Sequence, residues 1–425
     1  MTSRSHAPKP FADGRPAAGQ IASAAIMALL ALAISPWSLM HFSGRADLTF
    51  RVALVSSVLS AFVLLIAGAA LAGGRARRFM FHLVALALPF ALLACLEVAA
   101  IAVNLADRIA PLEDKSVYAT ARSWPAHLMS QARYDASQGV RLYAPWRGDG
   151  ITINALGLRT DDPRPKQPGE WRIAVTGGSA VWGAYVRDAD TIPVQLARAL
   201  RQRGYDKVTV YNFGIEGVLL ADELALLKRF RDVYALDQVL FYTGGNDVLA
   251  AYADRVPGTE AWTGFFSFEL VRAAGRLAAK LRPRGRMFDA AALDHVRRSN
   301  PLIGAMTAAA AYCGEQGLTC DVVLQPWLLG RAHPVGPETR LARSVDENFP
   351  GLADLWDAIR AGALELGAKD HTFDLRDALD DARTPVYADF VHVNEVGNAA
   401  IAQRLVPIVV RALPARSEPP GVKTR

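Results

Sequence analysis

Hydrophobic positions along this chain follow two patterns in succession. Up to about residue 110 they form long unbroken runs: Ile21 to Met40, Val52 to Ala72 and Phe79 to Val103. At about 1.5 Å per residue, each run is long enough to cross a hydrocarbon layer roughly 30 Å thick. Three in succession with short basic links predict three transmembrane helices rather than buried globular ones. Arg4, Lys9 and Arg15 precede the first run, as they would the core of a cleaved signal peptide. That run exceeds the usual ~7–15 residues, however, and no small-x-small cleavage site follows it. Cleavage would still leave two spans.

Beyond about residue 170 the pattern changes to short apolar runs alternating with amphipathic stretches. Arg172 to Thr176, Val208 to Phe213, Gln238 to Tyr242 and Asp321 to Leu324 read as strands. Between and after them, Thr191 to Arg203, Leu219 to Val233, Leu302 to Tyr312 and the stretch ending near Leu413 read as helices. The first of these has Thr191 as its cap, Pro193 in its first turn and Gly204 as its stop. Such alternation predicts an α/β domain with a mostly parallel sheet covered on both faces and reactive groups at the strands' C-terminal ends.

These patterns divide the chain into an anchor (1–110), a lead-in (111–170), an α/β domain (171–413) and a polar, Pro-rich tail (414–425) read as disordered. Pro163, Pro165 and Pro168, interleaved with Arg164 and Lys166, close the lead-in. Residues 250–299 are too many for a simple crossover. There Trp262, Phe265, Phe266 and Phe268 precede a basic helical run from Leu270 to Arg284. Both a lid or acyl-binding insertion and ordinary helical packing fit this stretch.

Charge sets the orientation. The net charge of +6 is mostly an anchor property, with about nine Lys and Arg against about four Asp and Glu before residue 112. It is therefore no signature of nucleic-acid binding. Basic residues flank the start of the first run and, as Arg75, Arg77 and Arg78, separate the second from the third. Because such residues stay on the cytoplasmic side, the N-terminus is expected inside and, after three crossings, the α/β domain in the periplasm or exterior. Glu97 falls within the third run, where a carboxyl group is costly; a functional role, helix packing and a place at the membrane surface all fit. The 3 cysteines are too few for a disulfide scaffold or a cysteine metal site, and nothing in the sequence calls for a metal or organic cofactor. Cys95 reads as a small apolar residue of the third span. Cys313 and Cys320 bracket a short turn, and an exterior location permits a bond between them without requiring it.

Four features bear on chemistry. Thr176-Gly177-Gly178-Ser179-Ala180-Val181-Trp182-Gly183 lies where a strand gives way to a helix, with glycines that allow a sharp turn and leave the serine hydroxyl exposed. It lacks the lysine of a phosphate-binding loop, the glycine spacing of a dinucleotide site and the last glycine of a G-x-S-x-G elbow. Asn212-Phe213-Gly214-Ile215-Glu216-Gly217 follows the next strand and Gly244-Gly245-Asn246-Asp247 the one after, offering a backbone N–H and a side-chain amide to a developing oxyanion. In Asp389-Phe390-Val391-His392, three-residue separation lets a carboxylate hold an imidazole whose other nitrogen faces a serine. His333 is a rival base without an acid at close spacing.

Taken together and in this order, these features resemble the SGNH (GDSL) hydrolase superfamily. Its four blocks match Ser179, Gly217, Asn246 and Asp389 with His392, and the resemblance spans about Arg172 to Leu413. One departure is Gly178, where many relatives carry the Asp of Gly-Asp-Ser. Asn154-Ala155-Leu156-Gly157-Leu158-Arg159 also looks like a lead-in of some relatives and receives no chemical role.

The resemblance implies a three-layer, flavodoxin-like α/β/α domain in which Ser179 is the nucleophile, His392 the base and Asp389 its orienting acid. The N–H groups of Ser179 and Gly217 and the side chain of Asn246 would form the oxyanion hole. Similarity to membrane-tethered relatives points to an acyl ester of the cell envelope, O-acetylated glycan first and lipid or lysolipid second. The same residues would serve an acyltransferase, and a non-catalytic envelope-binding protein of this fold is the alternative of a different class.

Overall fold

The structure, a computed structural model, describes residues 17–43, 48, 50–119, 133–135, 140–148, 150–256, 268–281 and 287–414. Arg4, Lys9, Arg15, Trp262, Phe265, Phe266 and the tail from residue 415 lie outside the described residues. The chain divides into two units, residues 1–109 with 259–278 and residues 110–258 with 279–425.

The first unit begins with α1 (Ala18–Ala33), α2 (Pro36–Ser43), α3 (Phe50–Leu71), α4 (Gly74–Ala102) and α5 (Leu105–Ile109). By length and composition α3 and α4 can each cross a membrane, and α1 with α2 can do so only as a pair bent by 57°. The straight span expected over Ile21 to Met40 is therefore corrected to a broken one. Pro36 is the cause, since it has no N–H to give the Leu32 carbonyl four residues back. The hydroxyls of Ser35 and Ser38 donate to that carbonyl instead, at 2.7 and 2.6 Å.

Helix α3 packs on both α1 and α4, and apart from Glu97 the buried positions of these three helices are small: Ala24 and Ala31, Ser56, Ser60 and Ala67, Ala91, Ala94 and Ala100. Small side chains let backbones approach closely where lipid gives no hydrophobic drive to associate. Large apolar side chains such as Leu29, Phe90 and Leu93 point outward.

The second unit opens with two antiparallel pairs, β1 (Arg133–Asp135) with β2 (Val140–Leu142) and β3 (Trp146–Gly148) with β4 (Ile151–Ile153). There follow β5 (Trp171–Gly177), α6 (Ser179–Trp182), α7 (Ile192–Gln202), β6 (Val208–Gly214), α8 (Leu220–Tyr234), β7 (Gln238–Thr243) and α9 (Gly245–Ala253). Next come α10 (Glu269–Leu281), α11 (Ala290–Arg298), α12 (Pro301–Gln316), β8 (Thr319–Leu324), α13 (Pro337–Asn348), α14 (Leu352–Leu366), β9 (Thr372–Asp374) and α15 (Glu395–Ala412). Residues of α10 up to 278 belong to the first unit.

The five strands from β5 onward form one parallel sheet in the order β6-β5-β7-β8-β9. Central β5 and β7 are apolar runs buried almost throughout, as strands covered on both faces must be. Helix α7 packs with α15, and α8 with α12, which in turn meets α14; these two groups are the outer layers of an α/β/α fold. The direction of strand order reverses between β5 and β7, which opens a crevice at their C-terminal ends. Thr191 does precede α7, but its hydroxyl donates to the Asp188 carbonyl (2.9 Å) and does not cap the helix.

Candidate active site

Three loops leave the C-terminal ends of β6, β5 and β7 side by side, and each delivers one of the residues singled out above. After β5, Gly178 precedes the single turn of α6, and Ser179 is its first residue, only partly buried. A side chain at 178 would run into Nδ2 of Asn246. Glycine here is thus the condition for the Asn246 amide to lie against the Gly178–Ser179 backbone. Asn246 Nδ2 also donates to the Val218 carbonyl at 2.8 Å, tying the loop after β7 to the loop after β6. In that loop Gly217 adopts a left-handed conformation (φ 69°) that side chains disfavour.

The fourth segment comes from the loop before α15. His392 Nε2 lies 2.7 Å from Ser179 Oγ, and His392 Nδ1 lies 2.6 Å from Asp389 Oδ2. A carboxylate only accepts, so Nδ1 donates to Asp389 and Nε2 is left to accept from the serine hydroxyl. The other oxygen, Asp389 Oδ1, accepts the N–H groups of Val391 and His392 at 2.8 and 2.7 Å, which folds the Asp-x-x-His segment into a turn.

Electrostatics follow from these contacts. Burial disfavours the charged imidazole, but the charge and hydrogen bond of Asp389 outweigh it, with Glu216 and Glu113 adding, so the His392 pKa is raised above its usual 6.5. Burial likewise disfavours the Asp389 carboxylate, yet His392 and the two backbone donors hold it below the usual 3.8. His333 is exposed, and the imidazole that meets Ser179 belongs to His392.

Several supporting residues went unread in the sequence. Arg159 is 3 % exposed. It donates to the carbonyls of Trp182, Gly183 and Val186 at 3.0, 2.8 and 2.8 Å and pairs with Asp188 at 2.8 Å. The lead-in segment thus fixes the loop that follows Ser179, beginning with Asn154, which accepts the N–H groups of Leu156 and Leu158. Glu338, buried and paired with Arg331, accepts the N–H groups of Val386 and Tyr387 at 2.7 and 2.9 Å and so fixes the approach to Asp389.

Next to the loops that follow β6 and β7 lies a pair of buried acids. Glu223 accepts from the Thr176 hydroxyl (2.8 Å), and Asp247 accepts from the Thr243 hydroxyl (3.2 Å) and the Leu220 N–H (3.4 Å). Burial and the nearby Asp247 push Glu223 up to about 8, and burial lifts Asp247 to about 6. An Arg closing the lead-in motif and a Glu on an apolar helix face were the available signals, but neither names its partner.

At the rim, Tyr185 holds a left-handed backbone (φ 63°) and sets its ring edge-on to His392, with centroids 6.0 Å apart. Lys115 lies 4.9 Å over the Tyr185 ring and pairs with Glu113. Far from this site, at the end of α12 and the start of β8, Cys313 and Cys320 are joined in a disulfide with Cα atoms 6.1 Å apart.

Neither a protein-family model nor a curated protein matches the sequence. Among solved structures the chain is similar to TesA, with 16 % identity over 57 % of this chain and 99 % of that one and a TM-score of 0.35. It is also similar to the acetyl xylan esterase AlAXEase, with 16 % identity over 56 % of this chain and 99 % of that one and a TM-score of 0.35. A member of the lipolytic protein G-D-S-L family from Veillonella parvula matches with 14 % identity over 57 % and 99 % and a TM-score of 0.32.

Proposed function

We propose that the protein is a membrane-anchored serine ester hydrolase that acts on acyl esters, foremost O-acetyl esters, of the cell envelope. The observation that carries this reading is the continuous line from Asp389 through His392 to Ser179, at 2.6 and 2.7 Å, beside the Asn246 amide. His392 takes the Ser179 proton as Oγ attacks the ester carbonyl, and it returns that proton to the departing alcohol. Water then attacks the acyl-enzyme with His392 again as base. The N–H groups of Ser179 and Gly217 and the side chain of Asn246 stabilise the oxyanion.

Polar side chains gather near the His392 ring: Tyr185 sets its ring edge-on to it, and Lys115, paired with Glu113, lies over the Tyr185 ring. Such surroundings suit a hydroxyl-rich alcohol such as a glycan better than a lipid tail. With the bent pair α1 and α2 crossing as one span, the anchor crosses three times, and basic residues retained inside put the catalytic unit in the periplasm or exterior.

The test is intact-mass analysis of the full-length protein in detergent after exposure to a fluorophosphonate. A single adduct on Ser179, absent in Ser179→Ala, together with release of acetate from O-acetylated glycans, is expected. A folded protein that takes no adduct overturns the reading.

A further inference from the structure

Helix α10 has its polarity reversed relative to a helix at a water-exposed surface. Glu269, Arg272 and Arg276 turn their charges toward the first unit, while Lys280, near the end of the helix, is exposed. Glu269 and Arg276 are buried, the Glu269 carboxylate accepts the Ala106 N–H at 2.8 Å, Arg272 pairs with Glu269 at 2.8 Å, and Arg272 and Arg276 both pair with Asp107. On the opposite side Ala274, Leu277, Ala278 and Leu281 are exposed, Leu277 at 51 % and Leu281 at 76 %. Their spacing of three and four residues makes them one stripe along the helix. Helices in water hide such a stripe and expose their charges. Helices in contact with lipid turn ionisable groups inward, pair them, and leave apolar residues outside.

The start of α10 shows where along the anchor this surface lies. Glu97 of α4, itself buried, accepts the N–H groups of Glu269 and Leu270 at 2.6 and 3.0 Å, so a carboxylate of one helix caps the first turn of the other. Glu97 sits five residues, about 8 Å, before the last residue of α4. Around it Leu92, Leu93, Leu96 and Val98 are exposed apolar residues of a helix long and apolar enough to span a bilayer. Phe268, just before α10, meets Phe50 at the start of α3, with ring centroids 6.4 Å apart. Contacts with the end of α4 and the beginning of α3 tie the start of α10 to one end of the α3–α4 pair.

We propose that α10 is a lipid-contacting helix of the membrane anchor, with Ala274, Leu277, Ala278 and Leu281 in the apolar region of the leaflet where α4 ends. The occupant of this face is acyl chain, because the helix that holds the first turn of α10 through Glu97 is itself long and apolar enough to span a bilayer. This assignment is independent of the ester-hydrolase reading. It gives Glu97 its task, which is to hold the first turn of a helix more than 150 residues away in sequence against the anchor.

The experiment uses the full-length protein, with Cys95→Ala removing the free thiol, reconstituted in phospholipid vesicles. A polarity-sensitive fluorophore is attached in turn to Leu277→Cys, Leu281→Cys, Leu93→Cys on α4 and Leu366→Cys, an exposed position of the second unit. Ala274→Cys and Ala278→Cys serve as smaller perturbations of the same stripe should the leucine variants melt below the parent. Lipids with brominated acyl chains are expected to quench the α10 labels to at least half the extent seen at Leu93, with aqueous iodide severalfold less effective than at Leu366. Iodide quenching equal to that at Leu366 overturns the proposal in favour of a water-exposed face. Protection from both quenchers overturns it in favour of a protein partner, a second copy included.

Discussion

In the second unit the large apolar side chains are inside: Trp182, Tyr211, Phe213, Phe241 and Trp327 are almost fully buried. In the first they are outside, with Phe42, Phe81, Leu86 and Phe90 mostly exposed, while alanines, serines and Glu97 occupy the interior. Both arrangements obey one rule under two solvents, since each polar group goes where it finds partners and each apolar group where it avoids water.

The two buried glutamates sharpen the contrast. Glu97 receives two backbone N–H groups and joins two helices. Glu223 receives one threonine hydroxyl, while its Oε1 has no hydrogen-bond partner among the described residues, and it sits beside a second buried acid next to the loops that follow β6 and β7. Removing one should disturb assembly, and altering the other should disturb the dependence on pH.

The largest effect is expected in the second unit. Asp389→Asn leaves His392 without its charged partner and should lower turnover of an acetyl ester by on the order of 10⁴. Because Asp389 is what raises the His392 pKa, and a base must be neutral to act, wild-type activity should decline as pH falls through that raised value. In the variant the residual acid limb should shift to lower pH; a limb that stays in place would assign it to another group.

Asn246→Ala should reduce kcat by about 10²–10³ while a fluorophosphonate still labels Ser179. A loss no larger than a fewfold would remove Asn246 from the oxyanion hole.

Glu97→Ala tests the other region. It leaves two N–H groups at the start of α10 without their acceptor, each worth on the order of 1–3 kcal/mol. Hydrogen exchange of α10 should accelerate and Glu97→Gln should restore part of the protection, with Ser179 labelling unchanged in both. Equal exchange in all three proteins would show that the cap does not hold the helix.

Glu223→Gln should have the smallest effect. Since the folded-state pKa of Glu223 is raised from 4.5 to about 8, its contribution to stability is complete below pH 4.5 and is lost as pH rises through 8. Melts of the full chain in detergent should therefore show a decline in Tm between pH 5 and 8 that is shallower in the variant. Asp247, raised to about 6, acts with the same sign and keeps part of the decline.

Much of the site was legible because each part is local. A glycine turn with Ser179, a glycine loop ending at Gly217, Gly-Gly-Asn246 and Asp389-x-x-His392 each occupy a few residues next to a strand or helix end, where spacing alone limits what the side chains can reach. The supports were not legible, because their partners are distant in sequence. Arg159 reaches residues 182 to 188, Glu338 reaches 386 and 387, and Glu97 reaches 269 and 270. Pro36 was visible within its apolar run, but hydropathy averaged over a window carries no penalty for a missing N–H, so the bend between α1 and α2 escaped that reading.

By itself the sequence determined which segments are apolar along their whole length, which alternate, and where the reactive residue types fall at element ends. Those properties depend on neighbours a few positions away, through helical and strand periodicity. Tertiary structure alone decided which buried charge meets which backbone donor, that helical residues 269–278 group with the anchor, and that Ser179, His392 and Asp389 lie within hydrogen-bond reach of one another. Hydrogen bonds and ion pairs act over about 3 Å in space, and no periodicity along the chain encodes a distance of that kind between residues 179 and 392.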